Sequence, residues 1–194
     1  TFPALENDAA CRQCGFVIEM AEQQFGIPAM LDRPVADLAE VLDSGEQRAI
    51  SAAVQSLEQR FPQIKASVVL AAAPPNVPIA VYALWLFNRG SLFSAVEKAG
   101  DNHGILLLID TARRHALLMP GYGLEPFVPE SALKLCLDAA TAALNKAGYA
   151  NAAVTCLDEL ERQLTRICEG LPEIFGYDGE QDSSSGTAEA EDPF

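Results

Sequence analysis

Basic residues and histidines are scarce in this chain of 194 residues. It holds 13 Lys and Arg against 27 Asp and Glu, a formal net charge of −14, and only two histidines. Binding to nucleic acid needs a cationic face that neutralises phosphates, and none stands out. We therefore expect no nucleic-acid partner, and the acidic balance suits cations or a basic partner protein better.

The sequence also lacks a long hydrophobic run. A membrane-spanning helix needs about 20 consecutive apolar residues, and no stretch approaches that length. We expect no transmembrane segment in this chain. The first residue is Thr1, which fits a precursor whose export signal has been removed. We expect an exported protein, periplasmic or otherwise extracytoplasmic.

The cysteines are five in number, which argues against a complete disulfide framework. Cys11 and Cys14 have the spacing of a redox pair or of half a zinc site. A zinc site wants a second pair at similar spacing, and Cys136, Cys156 and Cys168 do not provide one. Structural or incidental roles for these thiols are favoured.

Hydrophobic patterning predicts alternating helices and strands. Apolar stripes of helical period predict a short docking helix at 12–25 and longer helices at 44–61, 77–88, 129–146 and 151–168. Continuous apolar runs predict buried strands at 64–73, 104–110 and 114–119. Because only residues 111–113 separate the last two strands, they should form an antiparallel hairpin.

Local signals predict where two of these helices begin and end. Ser44 and Gln47 have the spacing of a capping box at the start of the second helix. Gly170 and Pro172 predict the end of the last one.

The element order predicts an α/β fold, a three-layer α/β/α sandwich with a small mixed central sheet that includes one antiparallel hairpin. We expect residues 1–33 to form an N-terminal arm with a short docking helix and residues 34–172 to form the domain. Residues 173–194 read as an acidic disordered tail, since residues 178–194 contain six acids and no base.

Three short segments carry a recognisable pattern. Residues 34–44 read PVADLAEVLDS, residues 100–108 read GDNHGILLL, and residues 120–125 read PGYGLE. In this order and spacing they resemble the TPM domain family, which includes plant thylakoid-lumen and photosystem II repair proteins. The resemblance covers roughly residues 34–168. His103 departs from the pattern, because the family usually has no residue at this point of the motif.

The hairpin places the entry to one strand beside the exit from the next. We therefore expect Asp101 and Asn102 to lie near the segment from Gly121 to Glu125. Hard cations such as Ca²⁺ prefer carboxylate and amide oxygens. The resemblance adds Asp37 and so implies one divalent-cation site of Asp37, Asp101, Asn102 and Glu125, with Ca²⁺ favoured and Mg²⁺ possible. In the alternative interpretation, Asp101 and Asn102 form an Asx turn and Glu125 is a solvated loop residue.

Four neighbouring residues could line a ligand cleft beside that site: Gly121, Tyr122, Gly123 and His103. His103 could serve as an extra ligand or a general base. The alternative is a tight turn whose glycines are chosen for positive φ, with Tyr122 covering the sheet end and His103 solvated.

Three functions from different classes remain open. We prefer a cation-binding interaction module that helps an envelope complex assemble, with a protein partner at the membrane or envelope. The resemblance also implies an acid-phosphatase-like phosphomonoester hydrolase, which could use a metal and a carboxylate. A redox or zinc protein built on Cys11 and Cys14 is the third and weakest hypothesis.

Overall fold

The computed structural model describes residues 18–26, 34–90 and 102–174. Within these ranges the elements are α1 (Ile18–Phe25), β1 (Val35–Asp37), α2 (Ser44–Arg60), β2 (Lys65–Ala71), α3 (Ile79–Arg89), β3 (Gly104–Asp110), β4 (His115–Pro120), α4 (Glu130–Asn145) and α5 (Tyr149–Ile174). Cys11, Cys14, Asp101 and the acidic tail beyond Ile174 lie outside the described residues. The interpretations that depend on them stay predictions.

The four strands form one sheet in the order β1-β2-β3-β4. β1 and β2 are parallel, β2 and β3 are parallel, and β3 and β4 are antiparallel. The predicted hairpin is confirmed, with Ile105 opposite Pro120 at one end and Asp110 opposite His115 at the other. The small mixed sheet is confirmed with it.

Helices cover both faces of the sheet because side chains alternate across buried strands. Val68, Leu70 and Leu107 point to one face, where they pack with α2, α4 and α5. Val69 and Leu108 point to the other face and pack with α3. The predicted three-layer α/β/α sandwich is therefore confirmed.

α1 docks on the α3 layer through one aromatic side chain. The ring of Phe25 lies 5.5 Å from that of Tyr82 and 5.2 Å from that of Trp85, both in edge-on geometry. Such contacts suit aromatic quadrupoles and stabilise the pair by about 0.5–1.5 kcal/mol beyond area burial.

β1 was not predicted from the sequence. It is only three residues long and each of them is half-buried, so its local pattern lacks the continuous apolar run of the other strands. It becomes a strand through pairing, since the N–H of Val68 donates to the carbonyl of Pro34 and that of Leu38 to the carbonyl of Leu70.

Two helix boundaries differ from the predicted ones. The N-cap of α2 is Asp43, whose side chain accepts from Glu46 N while the Glu46 side chain accepts from Asp43 N. The capping box therefore starts one residue before Ser44, because Asp43 Oδ1 accepts from both Gly45 N and Glu46 N. α5 runs past Gly170 to Ile174. Gly170 does not adopt the left-handed conformation that would end a helix there.

Within the described ranges, no helix is both long and apolar enough to cross a membrane.

Candidate functional site

The predicted site residues fall at opposite ends of the sheet. Asp37 pairs with Leu70, and Leu70 pairs with Ile109 near the end of β3. Asn102 instead precedes the start of β3 at Gly104. The seven residue-to-residue steps from 102 to 109 span about 23 Å at roughly 3.3 Å each. The prediction that Asp37 and Asn102 share one pocket is wrong, because parallel β1 ends where β3 ends and not where it begins.

The Asn102 end of the sheet is held by hydrogen bonds. The N–H of Gly104 donates to Asn102 Oδ1 at 3.1 Å, which is an Asx turn. The N–H of Gly123 donates to the carbonyl of Asn102 at 3.0 Å, and that of Gly121 to the carbonyl of Gly104 at 2.7 Å. Asn102 thus lies beside Gly121 and Gly123, as the hairpin predicts. Both oxygens of Asn102 are engaged in holding the loop.

Gly121 is required by a close approach and not by its backbone angles. A Cβ at this position would lie 2.3 Å from the carbonyl oxygen of Asn102 and 2.5 Å from its Oδ1. Neither Gly121 nor Gly123 has a positive φ, so the interpretation that such angles select these glycines is wrong. Gly121 leaves room for Asn102 to sit directly on the turn.

The other predicted residues at this end are largely in solvent. Glu125 is exposed, and its N–H donates to the carbonyl of Gly121 at 3.2 Å. Tyr122 is 51% exposed. His103 is half-buried, and its carbonyl accepts from Lys65 N at 3.3 Å. A solvated turn accounts for these positions, and the ligand cleft stays a prediction.

Asp37 has a different environment at the carboxyl end of β1. Its Oδ2 accepts from the N–H of Leu42 at 2.8 Å. Its Oδ1 is buried and has no hydrogen-bond partner among the described residues. Buried polar atoms nearly always have a partner, and an ionised oxygen without one is costly. This oxygen therefore has capacity for a ligand.

The segment after Asp37 follows a constrained path. Glu40 adopts a φ of +52°, which is uncommon for a residue with a side chain. Leu42 is fixed by its bond to Asp37, and Asp43 caps α2. This β1–α2 loop, residues 38–43, therefore presents its backbone at a defined position beside the Asp37 carboxylate.

The chain leaves β1 and β2 toward opposite faces of the sheet. The β1–α2 loop leads to the layer of α2, whereas residues 72–78 lead to α3 on the other face. In open α/β sheets, a crevice forms where neighbouring strands send their connections to opposite faces, and ligands bind there at the carboxyl ends. Asp37 lies at this position.

A second carboxylate at this end of the sheet, Asp110, was missed by sequence reasoning. Its side chain is fully buried, and its Oδ2 accepts a hydrogen bond from Arg113 Nη1 at 2.9 Å. The other guanidinium nitrogen donates to the carbonyls of Pro74 at 2.6 Å and Val77 at 3.1 Å. Arg113 therefore ties β3 to the β2–α3 loop. The sequence signal that could have predicted this ion pair is an acid at the end of a continuous apolar strand, followed three residues later by an arginine.

Asp110 and Asp37 do not combine into one site. Asp37 is level with Ile109, and the side chain of Ile109 lies in the layer of α2, α4 and α5. Because side chains alternate along a strand, the side chain of Asp110 points to the opposite face, toward α3. Among the described residues, no group of three or more His, Cys, Asp or Glu side chains could hold a metal ion. A cation at Asp37 would thus draw further oxygens from the backbone, from water or from residues outside the described ranges.

The described thiols have distinct environments. Cys136 and Cys156 are buried between α4 and α5, and Cys168 is exposed. Burial raises the pKa of the Cys136 thiol to about 12, and it raises the pKa of Cys156 as well. Both buried thiols are therefore protonated and inert near neutral pH.

A family model described as the TPM domain matches residues 35–163 of the chain. No curated protein matches it. Among solved structures, it is similar to the N-terminal domain of a protein from P. gingivalis, with 19% identity and a TM-score of 0.57; the match covers 72% of this chain and 86% of that one.

Two further NMR structures show the same likeness. The N-terminal domain of the cg2496 protein from Corynebacterium glutamicum is 15% identical with a TM-score of 0.51, covering 87% of this chain and 95% of that one. The BA42 protein from Bizionia argentinensis is 15% identical with a TM-score of 0.54, covering 67% and 86%. At these identities the likeness shows a shared fold.

Proposed function

Because this chain belongs to the TPM domain family, we propose that it binds a divalent cation beside Asp37, at the carboxyl end of β1. Ca²⁺ is the preferred ion and Mg²⁺ the alternative. The observation that carries the proposal is the buried, unpartnered Oδ1 of Asp37. A cation would supply the opposite charge that no described residue supplies to this oxygen.

The surroundings of Asp37 are consistent with a hard ion. Ca²⁺ takes six to eight oxygens, including backbone carbonyls and water, in flexible geometry, whereas Mg²⁺ demands a near-ideal octahedron. One carboxylate and an ordered loop backbone resemble the flexible arrangement more closely. Asn102 and Glu125, at the other end of the sheet, cannot contact the same ion as Asp37.

A titration of the ¹⁵N-labelled chain with CaCl₂ tests this proposal. We expect saturable amide shifts in residues 38–43, above all at Leu42, whose N–H donates to the Asp37 carboxylate. Asp37→Asn should abolish them. The matched control is Asp43→Asn, which removes the same charge from the same loop, while asparagine remains a good N-cap. If the two variants weaken Ca²⁺ binding equally, general attraction of the cation to acidic side chains explains the shifts. That result would refute a site at Asp37.

We further propose that the chain acts as an exported interaction module of the cell envelope, with a protein partner at the membrane. The family resemblance and the net charge of −14 support this setting. Fractionation of the source cells tests it, and recovery of the chain from the cytoplasm alone would refute it.

The phosphatase alternative is separable with the same variants. Arg113 is the described cation nearest the carboxyl end of β3, and its guanidinium is occupied by Asp110 and two carbonyls. We therefore expect no hydrolysis of p-nitrophenyl phosphate with Ca²⁺ or Mg²⁺ present. Metal-dependent hydrolysis that Asp37→Asn abolishes and Asp43→Asn preserves would establish the enzyme in place of the module.

A further inference from the structure

Among residues 18–26, 34–90 and 102–174, β4 is an edge strand that pairs with β3 alone. The N–H of Gly121 donates to the carbonyl of its β3 partner, which fixes the alternation along the ladder. In an antiparallel pair, successive residues turn their backbone groups to opposite sides. Leu117 and Met119 therefore bond to β3, whereas Ala116 and Leu118 direct their N–H and C=O groups to the open edge.

The open edge has defined limits. Pro120 is the next residue facing outward, and it has no N–H to donate. At the other end, Arg114 leaves the strand with a φ of +50°. The edge thus offers two donors, Ala116 and Leu118, with their carbonyls. This length suits one short extended segment.

A groove of about 610 Å³ runs between this edge and α4. Its volume lies within the roughly 300–1,000 Å³ that ligand pockets occupy. Leucines of α4 line it, Leu133 and Leu137 among them, and both are only partly buried. Its charged residues are two cations and two anions, Arg114, Lys134, Glu130 and Asp138. The groove is therefore balanced in charge on a chain whose net charge is −14.

We propose that this groove is the docking site for an extended peptide segment of a partner protein, which adds to β4 as a fifth strand. Backbone groups of Ala116 and Leu118 bond to the segment, and its alternate side chains enter the groove against Leu133 and Leu137. The backbone groups select an extended conformation, and the apolar lining with balanced charge selects uncharged, apolar residues at every second position. The proposal concerns a surface separate from Asp37 and does not depend on the cation site.

A second copy of this chain fits the groove poorly. In a β4–β4 pair, the side chains that each copy presents on the groove face are Ala116 and Leu118. Each is only 6% exposed because it belongs to its own core. They cannot also fill the groove of another copy. Two chains of charge −14 also repel each other at low ionic strength.

Selection with a random dodecapeptide phage library on the immobilised full chain tests the proposal. The most enriched sequence is synthesised and titrated into the ¹⁵N-labelled chain. We expect alternating apolar residues in the enriched sequences and shifts at Ala116 and Leu118. Thr141→Phe, at an exposed groove position, should weaken binding at least about tenfold, or 1.4 kcal/mol. Ala142→Phe is the matched control, because it adds the same ring to an exposed α4 position outside the groove.

Equal peptide binding by the Thr141→Phe and Ala142→Phe chains would overturn the proposal. A selection in which no peptide is enriched on the parent chain relative to the Thr141→Phe chain would also overturn it. So would shifts confined to another surface. A concentration-dependent dimer by sedimentation, with slow amide exchange at Ala116 and Leu118, would assign the edge to a second copy instead. If Thr141→Phe does not fold, Lys134→Phe blocks the groove from another exposed position.

Discussion

Replacing Gly121 with alanine should destabilise the fold strongly, although alanine is compatible with its backbone angles. The new Cβ would lie 2.3 Å from the carbonyl oxygen of Asn102, about 0.7 Å inside the shortest tolerable contact of about 3.0 Å. Side-chain rotation cannot relieve the clash, because this carbonyl is backbone and accepts from Gly123 N. Overpacking of this kind costs about 1–3 kcal/mol, and loss of the hydrogen bond adds about 1 kcal/mol. We expect Gly121→Ala to lower the free energy of unfolding by about 3 kcal/mol.

Urea denaturation followed by circular dichroism measures the effect. For a chain of this size, 3 kcal/mol corresponds to a fall in Tm of about 6–12 °C, with an unchanged m-value. Gly170→Ala is the matched control, since a Cβ there meets nothing within 4 Å and the residue is helical. It should stabilise by about 0.5–1 kcal/mol. If Gly121→Ala stays within about 0.5 kcal/mol of the parent chain, the close approach of Asn102 does not constrain this turn.

Three further predictions follow from buried contacts. Arg113→Ala should lower the unfolding free energy by about 3–5 kcal/mol, because it leaves the fully buried Asp110 uncompensated; a loss under 1 kcal/mol in urea melts would contradict this. Phe25→Ala should shift the fluorescence of Trp85, the single tryptophan, while costing about 1–2 kcal/mol; an unchanged spectrum would mean that α1 does not dock in solution. Cys136 should resist iodoacetamide at pH 8 in the folded chain and react in guanidinium, by peptide mass mapping, because burial raises its pKa to about 12 and so keeps the thiol protonated; labelling of the native chain would refute this.

The parts of the fold that could be predicted are those written in local sequence. β3 and β4 are continuous apolar runs, and the short link between them leaves only an antiparallel connection. From this, the proximity of Asn102 and Gly121 followed correctly. The reason for Gly121 could not be predicted, since a positive φ and a close neighbour both select glycine.

β1 shows where local sequence is insufficient. Three half-buried residues carry no strand pattern, and only their register against Val68 to Leu70 makes them a strand. Without β1, its direction was unknown, and Asp37 could not be assigned to an end of the sheet. The resemblance supplied Asp37 as a site residue but not its position. The groove beside β4 could not be predicted from the sequence either, because it depends on where α4 packs.

The three segments that carry the TPM resemblance are not equivalent once the fold is known. Residues 102–108 and 120–125 hold each other in place, because Asn102 lies against Gly121 and bonds to Gly104 and Gly123. These contacts account for Asn102 and Gly121 in that pattern without any ligand. In residues 34–44, by contrast, the N–H of Leu42 donates to one carboxylate oxygen of Asp37, and the other oxygen is buried with no partner in the part of the chain that the structure describes. An asparagine could accept the same bond without a buried charge, so folding alone does not account for a carboxylate here. The cation that we propose at Asp37 would account for it, and this is why the decisive comparison is between Asp37→Asn and Asp43→Asn.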